Sequence, residues 1–223
     1  MKLFFIFLFF GVFASYAQIY SSQVWTEFGV KFKQNSKLDY GLDINTRFDN
    51  TGIGSFFPQV SVKYKVKKWF NASIAYRFTL DKDKFTNFQP ENNIQVNTNF
   101  EKFLTKRIKT DFRIRYQYQY SVGRWSDNPG FEQSAGNVIR LRPEFSYDLK
   151  DNFLTPYINS ELFYRMEANS SQFYKLRIGI GTDFETDEPV SMSVGYIYDR
   201  ELNDRNRNPR IRHIITLSLK YKF

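Results

Sequence analysis

Residues able to do acid–base or nucleophilic work are sparse in this sequence. It has a single histidine, His213, and no cysteine, so disulfides, thiolate catalysis and cysteine-held metals are excluded. His213 stands in the run Ile211-Arg212-His213-Ile214-Ile215. In a strand, both of its same-face neighbours are isoleucine, so a serine or carboxylate that could complete a hydrolytic pair must come from another strand. His213 is the one candidate for catalysis, and its apolar neighbours favour an interfacial or hydrogen-bonded histidine instead.

The acids are more numerous. Asp39, Asp43, Glu144 and Glu161 fall on polar positions of alternating segments, as do Arg113, Arg115, Arg140, Arg142 and Arg165. Paired acids can serve acid–base chemistry or bind cations. With arginines on the same face, the expectation is a charge network that holds a narrow lumen together. No glycine-rich phosphate loop, metal-ligand spacing or calcium-loop run is present, so neither cofactor nor metal is expected. Gly179 and Gly181 sit at inward positions, where a missing side chain makes room for a bulky neighbour.

The elements that position these residues are read from a period of two. Leu38, Tyr40, Leu42, Ile44, Thr46 and Phe48 alternate with Asp39, Gly41, Asp43, Asn45 and Arg47. The longest run sets Ile108, Thr110, Phe112, Ile114, Tyr116, Tyr118 and Tyr120 against Lys109, Asp111, Arg113, Arg115, Gln117 and Gln119. Such alternation gives each strand one apolar and one polar face. It recurs to the end of the chain, with no helix, linker or second domain between. About 11 segments are counted. Outer-membrane barrels of one chain have even strand numbers, so the expectation is ten to twelve strands, with the first lying partly in the lumen or one segment being two. Connections near 34–36, 67–68, 103–105, 150–152 and 185–188 read as short. Those near 49–54, 81–91, 122–135 and 199–210 read as longer and those at 167–171 as short.

Composition fits an all-β reading. Of 223 residues, 25 are Phe, 15 Tyr and 3 Trp; aromatics favour strands and gather at membrane–water interfaces. Mean hydropathy is −0.51, too polar for a bundle of membrane helices. Residues 1–17 read as a secretory signal: Lys2, an apolar run from Leu3 to Phe13, and Ser15-Tyr16-Ala17 before Gln18. That run is shorter than the ~20 residues of a spanning helix. Residues 18–223 then form one barrel.

Alternation does not say which face is outside, since a soluble barrel turns its apolar face inward. Three features point to the membrane arrangement. The polar face carries charges of both signs, the apolar face is large and aromatic, and the chain stops at Tyr221-Lys222-Phe223. A terminal Phe with alternating aromatics resembles the signal read by the outer-membrane assembly machinery, which assigns that role to Tyr221 and Phe223.

Several short motifs add a resemblance. Trp25-Thr26-Glu27, Arg47-Phe48-Asp49, Tyr76-Arg77, Arg140-Leu141-Arg142-Pro143, Glu161-Leu162-Phe163-Tyr164 and the closing strand with His213 resemble an uncharacterised family of Bacteroidota outer-membrane barrels, known as a domain of unknown function. The resemblance covers nearly all of residues 18–223 and implies the fold and the outer membrane, with no activity attached.

The formal charge is +9, but no arm, helix or tract concentrates the basic residues, so nucleic acid is not an expected partner. Lipopolysaccharide, an anionic solute and the assembly machinery are. The expectation is a non-enzymatic barrel acting as a small channel, binder or structural element. Its alternatives are a membrane-embedded lipid hydrolase or acyltransferase using His213, and a soluble secreted barrel around an apolar ligand.

Overall fold

The computed structural model describes residues 19–82, 88–121, 135–149, 152–166, 171–185, 189–202 and 210–223. The export segment expected at 1–17 lies outside the described residues, as do 83–87, 122–134 and 203–209, the bulk of three expected long loops.

Eleven strands form a closed barrel: β1 (Ile19–Lys33), β2 (Leu38–Asp49), β3 (Gly52–Lys67), β4 (Phe70–Lys82), β5 (Phe88–Phe103), β6 (Ile108–Ser121), β7 (Ala135–Tyr147), β8 (Leu154–Met166), β9 (Gln172–Glu185), β10 (Val190–Glu201) and β11 (Arg210–Lys222). Sequential neighbours pair antiparallel throughout, and β1 and β11 close the barrel in parallel, from Ile19↔Arg210 to Lys31↔Lys222. The expected even number is therefore corrected. Evenness is required only where every pair is antiparallel, and one parallel seam absorbs the odd strand. The first segment does not lie in the lumen either, because β1 is bonded to both β2 and β11. The C-terminal residue extends the seam: Phe223 N donates to Lys31 O at 2.8 Å, and Lys33 N to Phe223 O at 3.2 Å.

Turn chemistry on one rim repeats. Asn35 Oδ1 accepts from the amides of Lys37 and Leu38 at 2.8 and 2.9 Å. Thr105 Oγ1 accepts from those of Arg107 and Ile108 at 3.2 and 3.0 Å. Such side chains take up turn amides that the ladder leaves unpaired. On the opposite rim the loop expected at 49–54 is a tight turn through Asn50 and Thr51. Asp49 Oδ1 accepts from Thr51 N and Oγ1, each at 2.7 Å, and Gly52 takes φ 104°, a value that favours glycine. The turn is shorter than its polar composition indicates because Asp49 closes it locally. β5 likewise starts at Phe88, ahead of the first apolar alternation at Ile94. Asn92 faces outward there, and Tyr76 Oη donates to its side-chain carbonyl.

The polarity of the wall is inverted relative to a soluble barrel. Ile74, Ile158, Ile180 and Ile215 stand outward and exposed, while Gln95, Asn97, Glu161 and Asp199 are buried inside. That interior contradicts a lumen built around an apolar ligand.

Two glycines let the lumen take a tyrosine. A Cβ at Gly181 would lie 2.5 Å from Tyr157 Oη and 2.6 Å from the Val194 carbonyl oxygen, and one at Gly195 2.8 Å from the same hydroxyl. The room expected for bulky neighbours is thus filled by Tyr157 at Gly181, whereas Gly179 faces Asn159 Oδ1 at 2.7 Å. Gly181→Ala is expected to destabilise the barrel by about 1–3 kcal/mol, since the backbone carbonyl cannot move aside. Gly136→Ala, with nothing within 4 Å of its Cβ, serves as the near-neutral control in a urea-unfolding comparison.

Candidate functional site: a charged lumen

Period two sends every second side chain of each strand inward, and the antiparallel registers decide which of them meet. Arg115 is opposite Arg140, Arg140 opposite Phe163, and Glu161 opposite Arg177. Arg177 is in turn opposite Asp199, and Asp199 opposite Arg212. From β8 to β11, acidic and basic side chains therefore alternate.

Glu161 on β8 is the hub. Arg113 Nη2 reaches its Oε1 at 2.8 Å, Arg140 Nη2 its Oε2 at 2.8 Å and Arg177 Nη1 its Oε2 at 3.4 Å. Arg177 also grips Asp199 Oδ2 through Nε and Nη2 at 3.0 and 2.7 Å. Arg212 holds Asp199 Oδ1 at 3.1 and 2.9 Å and extends to Glu201 at 3.3 Å. Charge-assisted, forked contacts of this kind fix geometry as well as charge. They also satisfy both carboxylates, whose burial would otherwise be costly.

Aromatic rings continue the ring of guanidinium groups across the rest of the lumen. Arg47 lies 4.2 Å from the centre of Trp25 and 4.7 Å from that of Phe57, and Arg77 lies 4.5 Å from Phe57. Arg177 approaches Trp25 at 4.9 Å and Phe163 at 5.1 Å, while Arg140 covers Phe163 at 4.6 Å. Stacking of this kind is favourable and leaves the in-plane N–H donors available. Within the wall is a cavity of about 920 Å³, lined by twelve Arg and Lys side chains against six Asp and Glu. No group of three or more metal-binding side chains is found among the described residues.

Of the residues picked from sequence, Arg113, Arg140 and Glu161 meet directly. Arg142 and Glu144 form a separate pair at 3.3 Å, to which Asn159 donates at 3.2 Å. Asp43 faces the cavity and accepts from Gln59 Nε2 at 3.4 Å. Asp39 stands away from the cavity with Lys65 at 2.8 Å. Arg115 donates to Asn97 Oδ1 at 2.5 Å, and Arg165 stacks on Tyr174 at 4.3 Å. Asp199, Arg177, Arg212, Arg47 and Arg77 were not among those picked, nor were the rings of Trp25, Phe57 and Phe163. For the rings a signal exists in Phe56-Phe57 and Leu162-Phe163-Tyr164, where consecutive apolar residues cannot all face one side.

Residues 22–210 match a family model described as "Protein of unknown function (DUF2490)". The chain belongs to this family. Among solved structures, the fold is similar to that of the NanC porin, at TM-score 0.51 and 16% identity over 82% of this chain and 85% of that one. The β domain of the Bordetella autotransporter BrkA aligns at TM-score 0.48 and 11% identity, over 84% and 82% of the two chains. No curated protein sequence matches. At these identities the likeness concerns the fold.

Within this family member, His213 is placed on the outer face as alternation requires. Its Nδ1 lies 2.6 Å from Tyr196 Oη, and its ring stacks on Tyr196 and meets Tyr198 edge-on. In the parallel seam Ser22 is its neighbour by register, so the cross-strand position that a nucleophile would need is occupied by a serine. The imidazole Nδ1 is committed to a tyrosine hydroxyl.

Proposed function

We propose that this protein is an exported outer-membrane barrel of the Bacteroidota whose lumen admits small anions, and that it is not an enzyme. The observation that carries this reading is the pairing of an outward apolar wall with an inner cavity lined by twice as many cations as acids. Lipid is the solvent that favours such an exterior, and in lipid a closed barrel leaves no unpaired backbone edge. The short motifs named above support the bacterial group, and residues 1–17 supply the export signal. Tyr221 and Phe223, whose rings meet at 4.6 Å on the exposed end of the last strand, serve the assembly machinery. The rim that carries the Asn50-Thr51 turn then faces lipopolysaccharide.

A barrel of this size is largely filled by side chains, and wide aqueous pores take about 16 strands. Passage is therefore narrow and governed by charge. The positive lumen concentrates anions and repels cations. In planar bilayers under a potassium chloride gradient, the purified full chain is expected to conduct with a reversal potential on the chloride side. A reversal potential on the potassium side, or no conductance at all, would rule out the channel.

A further inference from the structure

The lumen arginines divide into two classes. Arg113, Arg140, Arg142, Arg177 and Arg212 each touch a carboxylate. Among the described residues Arg210 makes no ion pair but is exposed, whereas Arg47, Arg77 and Arg115 make none, are only partly exposed, and line the same cavity. We propose that these three form a binding site for one small polyvalent oxyanion, a solute carrying two or three carboxylate or phosphate charges.

Each of the three is held in place by neutral groups rather than by a carboxylate in contact with it. Arg47 is packed between the rings of Trp25 and Phe57, and its buried Nε has no hydrogen-bond partner. Arg77 shares the ring of Phe57 and donates through Nε and Nη2 to Gln59 Oε1 at 3.0 and 2.8 Å. Arg115 uses only its Nε, toward Asn97 Oδ1 at 2.5 Å. Arg47 and Arg77 both lie within 4.7 Å of the centre of one ring, so their like charges are forced together on one side of the cavity. Arg115 faces the same cavity from β6.

Gathering guanidinium groups of one sign with no carboxylate in contact costs free energy, through repulsion and through lost hydration. Structures rarely tolerate this unless a ligand offsets it, and fixing the groups beforehand lowers the ordering cost when the ligand arrives. Guanidinium edges match carboxylate and phosphate oxygens in pairs. Chloride satisfies one such group at a time, whereas a di- or trianion spans several. A cavity of about 920 Å³ has room for a solute of that kind.

The site rests on the reading of the lumen as a wet, anion-attracting interior, but not on conduction. The test is therefore equilibrium binding to the detergent-folded full chain at low salt, by calorimetry, with citrate and inorganic phosphate as probes and glucose as the uncharged control. Citrate or phosphate is expected to bind and glucose is not. Arg47→Gln, Arg77→Gln and Arg115→Gln are each expected to weaken binding at least tenfold, and Arg77→Lys to fail to restore it, because an ammonium lacks the forked donors. Lys68→Gln, which removes the same charge from an exposed turn, is expected to leave binding unchanged. Circular dichroism and the heat-dependent gel shift of folded barrels check that each variant is folded. Absence of citrate and phosphate binding in the wild type, or wild-type binding by the folded arginine variants, overturns the site. Anion-selective conductance that survives such a result leaves the channel standing without the site. Binding without conductance does the reverse.

Discussion

Glu161→Gln is expected to destabilise the folded barrel by about 3–5 kcal/mol, the range for breaking a buried ion pair from one side. Glu161 is 2% exposed and is in contact with three arginines at once. The glutamine keeps the shape and one acceptor oxygen, so packing is preserved and the loss is that of charge. Arg177 retains Asp199 after the change. Arg113 and Arg140 retain no carboxylate, and their charges come to lie on one wall with no counterion. The comparison is Glu144→Gln, whose single contact to Arg142 is 3.3 Å long at side chains about a quarter exposed; a pair of that kind contributes about 1 kcal/mol or less. The urea midpoint of the detergent-folded chain measures both, provided the slope is unchanged. Added phosphate is expected to recover part of the loss in Glu161→Gln by supplying the missing negative charge. Equal midpoints for the two variants would mean that the hub carries no special weight.

The facing of Ile180 and Glu161 follows from parity, and a period of two is legible without a structure. What parity does not encode is height. Arg113, Arg140 and Arg177 share a face with Glu161 in sequence, but they meet it only because the turns fix Arg140↔Phe163 and Glu161↔Arg177 as cross-strand partners. One residue more in a turn would shift that register. Asp199 and Arg212 were hidden for the same reason: each is an ordinary polar position until the strands are laid side by side. The stacks on Trp25, Phe57 and Phe163 were partly visible, as aromatics that the alternation places on the polar face. The count of eleven segments was legible from the alternation; only the expectation of an even number fails, because that rule holds for wholly antiparallel barrels and β1 pairs with β11 in parallel.

Parity also supplies the sharpest check on the membrane reading. Ile180, in the body of β9, is 52% exposed and lies between Ile158 on β8 and Tyr196 on β10. On a protein surrounded by water, replacing an exposed isoleucine with arginine typically changes stability by about 0.5 kcal/mol or less. On the lipid face of a barrel the same change costs about 2–4 kcal/mol near the bilayer midplane, because the guanidinium must be drawn out of water. Ser193 offers the inward counterpart: it lines the cavity and pairs by register with Asp183 and Ser218. An arginine there meets a wet interior with a carboxylate close by. In phospholipid vesicles, Ile180→Arg is therefore expected to lower the unfolding free energy by about 2–4 kcal/mol, and Ser193→Arg by a smaller amount. The order of the two variants carries the conclusion, since both add the same side chain and charge. If Ile180→Arg is the milder of the two, the outward isoleucines do not face lipid, and the outer-membrane reading fails with them.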